Sequence, residues 1–374
     1  MKSLVIRSHA PTRIDLAGGT VDLWPLYLFL KNPVTMNVAI DLYAEAELRT
    51  TSGNEIVLKT IDQGTESRHT WEELLSDQES EGIAPGLQLH YKLLRYFARW
   101  RVESGQPLSS WNNGLVLSTQ AKSPAGAGLG GSSTLSVALV GALANWAKWG
   151  NGEASQNGID PIRDGEQLVE IVRDVETTVI QVPAGVQDYY GAMFGGLQSL
   201  RWNAGSHKRE WLPDSALAGL EDRLLLFYSG QSRNSGINNW ALFKAFIDGE
   251  SSVRSKFGRI AEAAGRLDAA LRKQDWELSA DAIADEWSVR RTLAPGISTP
   301  EIDRAFQSAS SAAKSERIAG KVCGAGGGGC VFMFVPSGNE ELKNKVRDAF
   351  LAEGMRQLPL KTCAKGLEVQ VSRA

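Results

Sequence analysis

The segment Ser123-Pro-Ala-Gly-Ala-Gly-Leu-Gly-Gly-Ser-Ser-Thr134 constrains this chain more than any other. It sets Gly126, Gly128, Gly130 and Gly131 within six residues, adds two serine hydroxyls, and runs on through apolar positions to Leu143. Glycine lets a backbone turn tightly and come close to a ligand. A helix starting at the serines would aim N–H groups without intrahelical acceptors, and its positive dipole end, into the loop. That combination predicts an anion site, best suited to phosphate. The chain is therefore expected to handle a nucleotide or a phosphorylated metabolite.

Two better-known glycine loops fit less well. Gly126-Ala-Gly128-Leu-Gly-Gly131 matches the G-x-G-x-x-G pattern of dinucleotide folds, which leaves a NAD-dependent oxidoreductase as a competing reading. Yet the loop sits 125 residues into the chain, and no first βαβ unit with a ribose-binding acid precedes it. A Walker A loop is excluded, because no Gly-Lys-Ser/Thr closes the glycines. What remains is a phosphate loop with hydroxyls where a P-loop carries its lysine.

A second glycine run, Gly324-Ala-Gly-Gly-Gly-Gly329, lies between the strand-like segments Lys321–Cys323 and Cys330–Val335. A hairpin needs only one or two glycines. Five in six residues cost much backbone entropy, so close approach to a ligand is the expectation, with a flexible turn as the plainer alternative. A third segment, Ala10 to Asp22, places Arg13, Asp15 and Asp22 between apolar residues at a Gly-broken turn. Charges so placed need partners or a ligand.

At 374 residues the chain exceeds the usual size of one core, so two domains are expected. The net charge of −3 gives no electrostatic case for nucleic acid or an anionic membrane. No apolar stretch approaches the roughly 20 residues that span a bilayer. The start, Met1 to Ile6, soon meets Arg7, His9 and Arg13, and reads as a first strand rather than a secretory signal. Cys323, Cys330 and Cys363 form neither a disulfide framework nor a zinc spacing, which suits the cytoplasm.

Apolar periodicity predicts strands over 4–9 and 34–50, a hairpin over 53–69, and a helix over 87–103. A short strand at 114–118 leads into the glycine loop, followed by a central helix over 132–148 and a loop over 151–165. Leu168, Ile171, Val172, Val175 and Val179 mark one face of a helix over 166–180 that ends before Pro183. Residues 191–197 read as a turn back into strand. Composition shifts near 205–220, which divides the chain into 1–210 and 211–374. The second part reads as helices over 237–248, 253–273 and 275–292, then strands at 330–335 and 366–372 around a helix over 340–353. Strands and helices mix without strict βαβ alternation, so the class is α+β.

The three glycine-bearing segments, in this order, resemble the three motifs of the GHMP kinase superfamily. Pro124-x3-Gly-Leu-Gly-Gly-Ser-Ser133 is similar to its ATP loop, and Gly324–Gly329 to its C-terminal glycine motif. Arg7-Ser-x-Ala-Pro-x-Arg-Ile-x-x-Ala-Gly-Gly-x-x-Asp-Leu23 and Asn37-Val-Ala-Ile-Asp-Leu-Tyr-Ala44 look most like the sugar-1-kinase branch. That branch phosphorylates D-glycero-D-manno-heptose 7-phosphate or L-fucose at the anomeric hydroxyl. The resemblance implies a ribosomal-S5-domain-2-like N-terminal domain and a ferredoxin-like C-terminal domain. It implies ATP and Mg²⁺ as cofactors, a small-molecule sugar or sugar-phosphate substrate, and no nucleic-acid or membrane partner; a homodimer is compatible with it.

Residue by residue, the resemblance implies that Pro124, Gly126, Gly128, Leu129, Gly130, Gly131, Ser132 and Ser133 hold the nucleotide. Ser132 and Glu176 would hold Mg²⁺. Asp188 would orient or deprotonate the attacking hydroxyl, with Arg13 beside it. Gly19, Thr20, Asp22, Gly326 and Gly327 would meet the substrate. Galactokinases carry Gly-Glu-His-x-Asp where this chain has Gly18, Gly19, Thr20, Val21 and Asp22, so galactose fits poorly. Mevalonate kinases have a lysine where Arg13 stands, and an isoprenoid acceptor is the alternative. A catalytically silent member is the non-enzyme alternative, although Ser132, Glu176 and Asp188 are all present. A substrate phosphate would need basic groups, for which Arg201, Arg233 and Lys321 are candidates. Trp24, Trp240 and Trp287 could face a sugar, though core packing is the commoner role. Arg7 and His9 could reach the sugar or merely cover the sheet edge.

Overall fold

A computed structural model describes residues 3–76, 83–84, 86–111, 113–149, 161–231 and 236–373. Arg233 and the first ten residues of the loop expected at 151–165 lie outside the described residues. The first part of the chain runs β1 (Leu4–Ala17), β2 (Val34–Thr60), β3 (Thr65–Thr70), α1 (Trp71–Leu75), α2 (Gln88–Glu103) and β4 (Asn113–Ala121). Then come α3 (Gly131–Trp149), α4 (Pro161–Ile180), α5 (Gln187–Phe194), β5 (Leu197–Asn203) and β6 (Ser206–Trp211). The second part runs α6 (Asp214–Glu221), β7 (Leu224–Tyr228), α7 (Gly236–Ile247), α8 (Ser251–Arg272), α9 (Trp276–Arg290) and α10 (Pro300–Ala313). It closes with β8 (Ala319–Val322), β9 (Cys330–Phe334), α11 (Glu340–Ala352), β10 (Arg356–Leu358) and β11 (Glu368–Arg373).

Two sheets carry the fold. The larger is ordered β11-β1-β2-β5-β6, with β3 and β4 also paired to β2. The smaller is ordered β10-β7-β9-β8, antiparallel throughout. In chain order the smaller sheet reads fourth, first, third, second strand, which is the ferredoxin-like arrangement. The switch between sheets follows β6, but β11 returns to pair with β1, Leu4 opposite Arg373.

Helix α3 is apolar on most sides and is buried accordingly. Val137, Leu139, Val140 and Leu143 are inaccessible, and the helix packs on β1, β2, α2, α4 and α5. On the second sheet, Phe332 and Phe334 are buried in one core cluster, and Phe227 is buried in another with Phe350 of α11. The described residues include no helix long and apolar enough to cross a membrane.

Three expectations need correction. Residues 161–165 belong to α4 rather than a loop. Residues 191–194 are the end of α5, and only Gly195-Gly196 make the turn into strand. The glycine at 191 serves packing: a Cβ there would come 2.9 Å from Cβ of Arg13. Helix α10 was not anticipated at all, although Thr299 caps it by accepting from the Ile302 N–H and Pro300 opens it.

Candidate active site

A cleft of roughly 720 Å³ runs along the N-terminal end of α3. Its walls come from the 123–133 loop, the 19–23 turn, the end of α4, the start of α5, and Gly324-Ala325. The loop turns at three left-handed glycines, Gly126, Gly128 and Gly130, and the last two are also crowded. Gly128 has φ +75°, and a Cβ there would stand 2.5 Å from the Cys323 carbonyl oxygen. Gly130 has φ +74°, and its Cβ would lie 3.2 Å from the Asp188 side chain. Only glycine meets both demands without strain. Thr134 N–H donates to the Gly130 carbonyl at 2.8 Å, so α3 starts directly at the loop. The N–H groups of its first turn precede any intrahelical acceptor and give the cleft an anion-binding end.

The second glycine run lies against the first, backbone to backbone. Cys330 N–H donates to the Ala127 carbonyl at 2.7 Å, and a Cβ on Gly329 would stand 2.8 Å from that oxygen. The close approach that five glycines permit is therefore made to the 123–133 loop itself. Gly324 and Ala325 reach the cleft wall. Gly326 and Gly327 stand behind it: Gly327 N–H donates to the Ile297 carbonyl at 2.7 Å, and a Cβ on Gly326 would meet Ile297 at 2.6 Å.

Arg13 and Asp15 sit two apart on β1, hence on one face of the strand, and both line the cleft. Arg13 donates through Nε (2.8 Å) and a terminal nitrogen (2.6 Å) to Asp188 Oδ1 in the first turn of α5. Its other terminal nitrogen donates to the Gly128 carbonyl at 2.8 Å. Burial alone would lower the Arg13 guanidinium, but the carboxylates of Asp188 and Asp15 raise it above its ordinary value. Arg13 is therefore a permanent cation that ties the acid to the loop. The Asp188 side chain remains 25% exposed, so it faces the cleft while its partner is buried.

Across the loop, Ser132 Oγ donates to Glu176 Oε1 at 2.6 Å, and Ser136 Oγ donates to Oε2 at 3.0 Å. Glu176 projects from α4 and is buried; burial raises its carboxyl, opposed by the serine hydrogen bonds. A serine hydroxyl and a carboxylate are hard oxygen ligands. Among the described residues no three His, Cys, Asp or Glu side chains are placed to hold a metal ion together, so a cation at Ser132 and Glu176 would complete its shell with phosphate and water oxygens. Mg²⁺ binds in that manner, so the donor set fits it.

Beneath the 18–19 turn lies a buried ionic network that the sequence did not reveal. Lys321 Nζ donates to Asp15 Oδ2 (3.0 Å) and Glu286 Oε1 (2.8 Å). Arg290 donates to the same Glu286 oxygen (2.7 Å) and to the Gly19 carbonyl (2.6 Å). These contacts join β1 of the larger sheet and β8 of the smaller one to helix α9. Burial would raise Asp15, but the charges of Lys321, Arg290 and Arg13 hold it below its ordinary value. Asp22 is different. Burial, reinforced by the charges of Asp188 and Asp15, pushes its carboxyl up to about 6, although Gln187 N–H donates to it at 3.0 Å.

Most of the expected site residues meet in this cleft: Arg13, Gly19, Thr20, Asp22, Pro124, Gly126, Gly128, Gly130, Gly131, Ser132, Ser133, Glu176 and Asp188. Leu129 is buried, and its carbonyl accepts from Arg13 N–H at 3.2 Å. Lys321 is not a free phosphate ligand, being enclosed by Asp15 and Glu286. Arg201 is bound to Asp268 on α8 and does not line the cleft. Trp287 is buried, Trp24 and Trp240 are exposed, and none of the three lines the cleft. Arg7 pairs with Glu47, and His9 stands edge-on to Tyr43, so both cover the sheet. Gln187 and Arg290 line the cleft without having been anticipated.

Residues 88–196 match the GHMP kinases N terminal domain, and residues 268–352 match GHMP kinases C terminal. The chain belongs to the GHMP kinases and is a small-molecule kinase, which removes the oxidoreductase reading of the Gly126 loop. It is 25% identical over 340 residues to D-glycero-alpha-D-manno-heptose 7-phosphate kinase of Campylobacter jejuni, covering 88% of this chain and 89% of that protein. It is 26% identical over 349 residues to L-fucokinase/L-fucose-1-P guanylyltransferase of Bacteroides fragilis, covering 88% of this chain but 34% of that longer protein. Among solved structures, a D-glycero-D-manno-heptose 1-phosphate kinase from Bacteroides thetaiotaomicron superposes with a TM-score of 0.69 at 19% identity, over 98% of both chains. Lactococcus lactis galactokinase complexed with galactose gives 0.72 at 14% identity, over 97% of this chain and 95% of that one. These two likenesses bear on the fold. Kinases of this family use ATP as phosphate donor, generally with Mg²⁺.

Proposed function

We propose that this protein transfers the γ-phosphoryl group of ATP to the anomeric hydroxyl of a sugar or sugar phosphate. The observation that carries the reading is one juxtaposition. The Arg13-held carboxylate of Asp188 faces the start of α3, and the Ser132–Glu176 pair opens into the same cleft. Phosphoryl transfer asks for little covalent chemistry from the protein and much positioning and charge neutralisation.

In this reading the loop from Pro124 to Gly131 and the first N–H groups of α3, with the hydroxyl of Ser133, cradle the phosphates. Ser132 and Glu176 hold Mg²⁺, which when bound neutralises charge on the phosphate oxygens. Asp188 accepts the proton of the attacking hydroxyl, or orients it, at Oδ2, since Oδ1 is engaged by Arg13. Arg13 fixes the orientation of Asp188 and offsets charge on the transferred group. Asp22, Thr20 and Gly19 take the sugar side. Gly326 and Gly327 act from behind, bracing the Gly324-Ala325 turn against Ile297. We take 1–210 and 211–374 as the two domains, with β11 contributed back to the first sheet. A cytoplasmic location follows from the need for ATP.

An ADP-release screen with Mg²⁺ and ATP over L-fucose, galactose, heptose phosphates, mevalonate and homoserine tests the proposal. Turnover with a sugar or sugar phosphate is expected. Turnover confined to mevalonate or homoserine would overturn it.

A further inference from the structure

The proposed transfer leaves open what the acceptor carries besides hydroxyls, and the charge pattern at the Asp188–Asp22 end of the cleft bears on that. Among the described residues, Arg13 and Arg290 are the only basic side chains in the cleft wall, against Asp15, Asp22, Asp62, Glu176 and Asp188. Both arginines are committed and 3% exposed. Arg13 forks between Asp188 and the Gly128 carbonyl, and Arg290 between Glu286 and the Gly19 carbonyl. Lys321 below them is inaccessible and shared by two acids.

The unmet groups at this end have the opposite polarity. Asp15 Oδ1 and Gln187 Oε1 are buried without a hydrogen-bond partner. Asp22, beside them, takes the Gln187 N–H on Oδ2. All three residues line the cleft, and buried acceptors without donors are unfavourable. A sugar hydroxyl supplies a donor; an ionised phosphate supplies only more acceptors and negative charge. Among the described residues, a phosphate placed here would face Asp15, Asp22 and Asp188 with no uncommitted cation.

We propose that the acceptor is an uncharged sugar, with no phosphate or carboxylate of its own, whose hydroxyls donate to Asp22 and Gln187. This rests on the sugar-kinase reading above and narrows it, and it sets the chain apart from its Campylobacter jejuni relative, named for a phosphorylated heptose. Like-charge juxtaposition is a strong means of rejecting a wrong partner.

The test is ADP release by the full chain, with Mg²⁺ and ATP, on matched pairs: D-glycero-D-manno-heptose against its 7-phosphate, and D-mannose against its 6-phosphate, with L-fucose and mevalonate alongside. The inference expects kcat/KM for each neutral member, or for L-fucose, to exceed that of any sugar phosphate by about 100-fold or more. A sugar phosphate as the better substrate overturns it while leaving the sugar-kinase reading intact. Turnover of mevalonate with no sugar in either form overturns both. Gln187→Met supplies the residue-level readout: the sugar KM should rise at least about 10-fold with the ATP KM unchanged. An unchanged sugar KM in that variant, with the protein folded, removes Gln187 from the site.

Discussion

Replacing Asp22 by Asn should stabilise the fold at neutral pH while weakening the acceptor site. Asp22 is 4% exposed; burial, with the charges of Asp188 and Asp15, raises its carboxyl from 3.8 to about 6. The folded chain thus holds this proton more tightly than the unfolded chain does. Between pH 3.8 and about 6 the folded state binds more protons, so stability falls as pH rises through that window and levels off above it. Each pH step in the window is worth about 1.4 kcal/mol, and about 2–3 kcal/mol accumulates across it. Asn keeps the shape and an acceptor for the Gln187 N–H but carries no charge. Scanning calorimetry of both proteins from pH 4 to 8 reads the difference. The melting temperatures should nearly coincide at pH 4, and the Asn variant should melt about 3–4 °C higher at pH 7–8. Parallel melting curves across the whole range would refute the reasoning. The sugar KM of the variant should rise in parallel with its stability, because the charge that destabilises the fold is the one offered to the substrate.

Gly128→Ala should lose at least about 2 kcal/mol of stability and most nucleotide affinity, since its Cβ would meet the Cys323 carbonyl. Gly205→Ala, at a similar φ of +72° but in open space, is the control for backbone strain, and calorimetry reads both; equal losses would sink the contact argument. Glu176→Gln should shift the Mg²⁺ titration of turnover to higher concentration, and an unaltered titration would count against the ligand role. Lys321→Met leaves Asp15 and Glu286 as buried acids without their shared cation and should cost about 3–5 kcal/mol by denaturant unfolding. Adding Glu286→Gln should recover part of that loss, and no recovery would mean that the network is not coupled.

The parts of this fold legible in the sequence are those whose cause is local. The glycine spacing, the serines and the apolar run announced the loop and α3 because turn conformation, helix start and burial are each written within a few residues. The Ser132–Glu176 and Arg13–Asp188 pairs, 44 and 175 residues apart, came only through the family resemblance. Helix α5 was obscured because Gly191 and the Gly195-Gly196 turn look like strand breakers. Gly191 instead spares room for Arg13. The Asp15–Lys321–Glu286–Arg290 network was illegible, since Lys321 is separated from Asp15 by 306 positions and carries no local sign of burial. That concealment explains why Lys321 looked available for a phosphate. The second glycine run was expected to approach a ligand, whereas its close neighbours are the first loop and Ile297.

In the proposed mechanism Asp188 acts on the acceptor hydroxyl while the 123–133 loop and the start of α3 hold the nucleotide independently. Asp188→Asn, which preserves an acceptor for Arg13, separates the two. Isothermal titration with an ATP analogue and Mg²⁺, paired with turnover on the preferred sugar, is the direct measurement. Nucleotide affinity should stay within a few-fold of the parent while turnover falls by about 10²–10⁴. Full turnover in this variant, or loss of nucleotide binding in a folded protein, would contradict that mechanism.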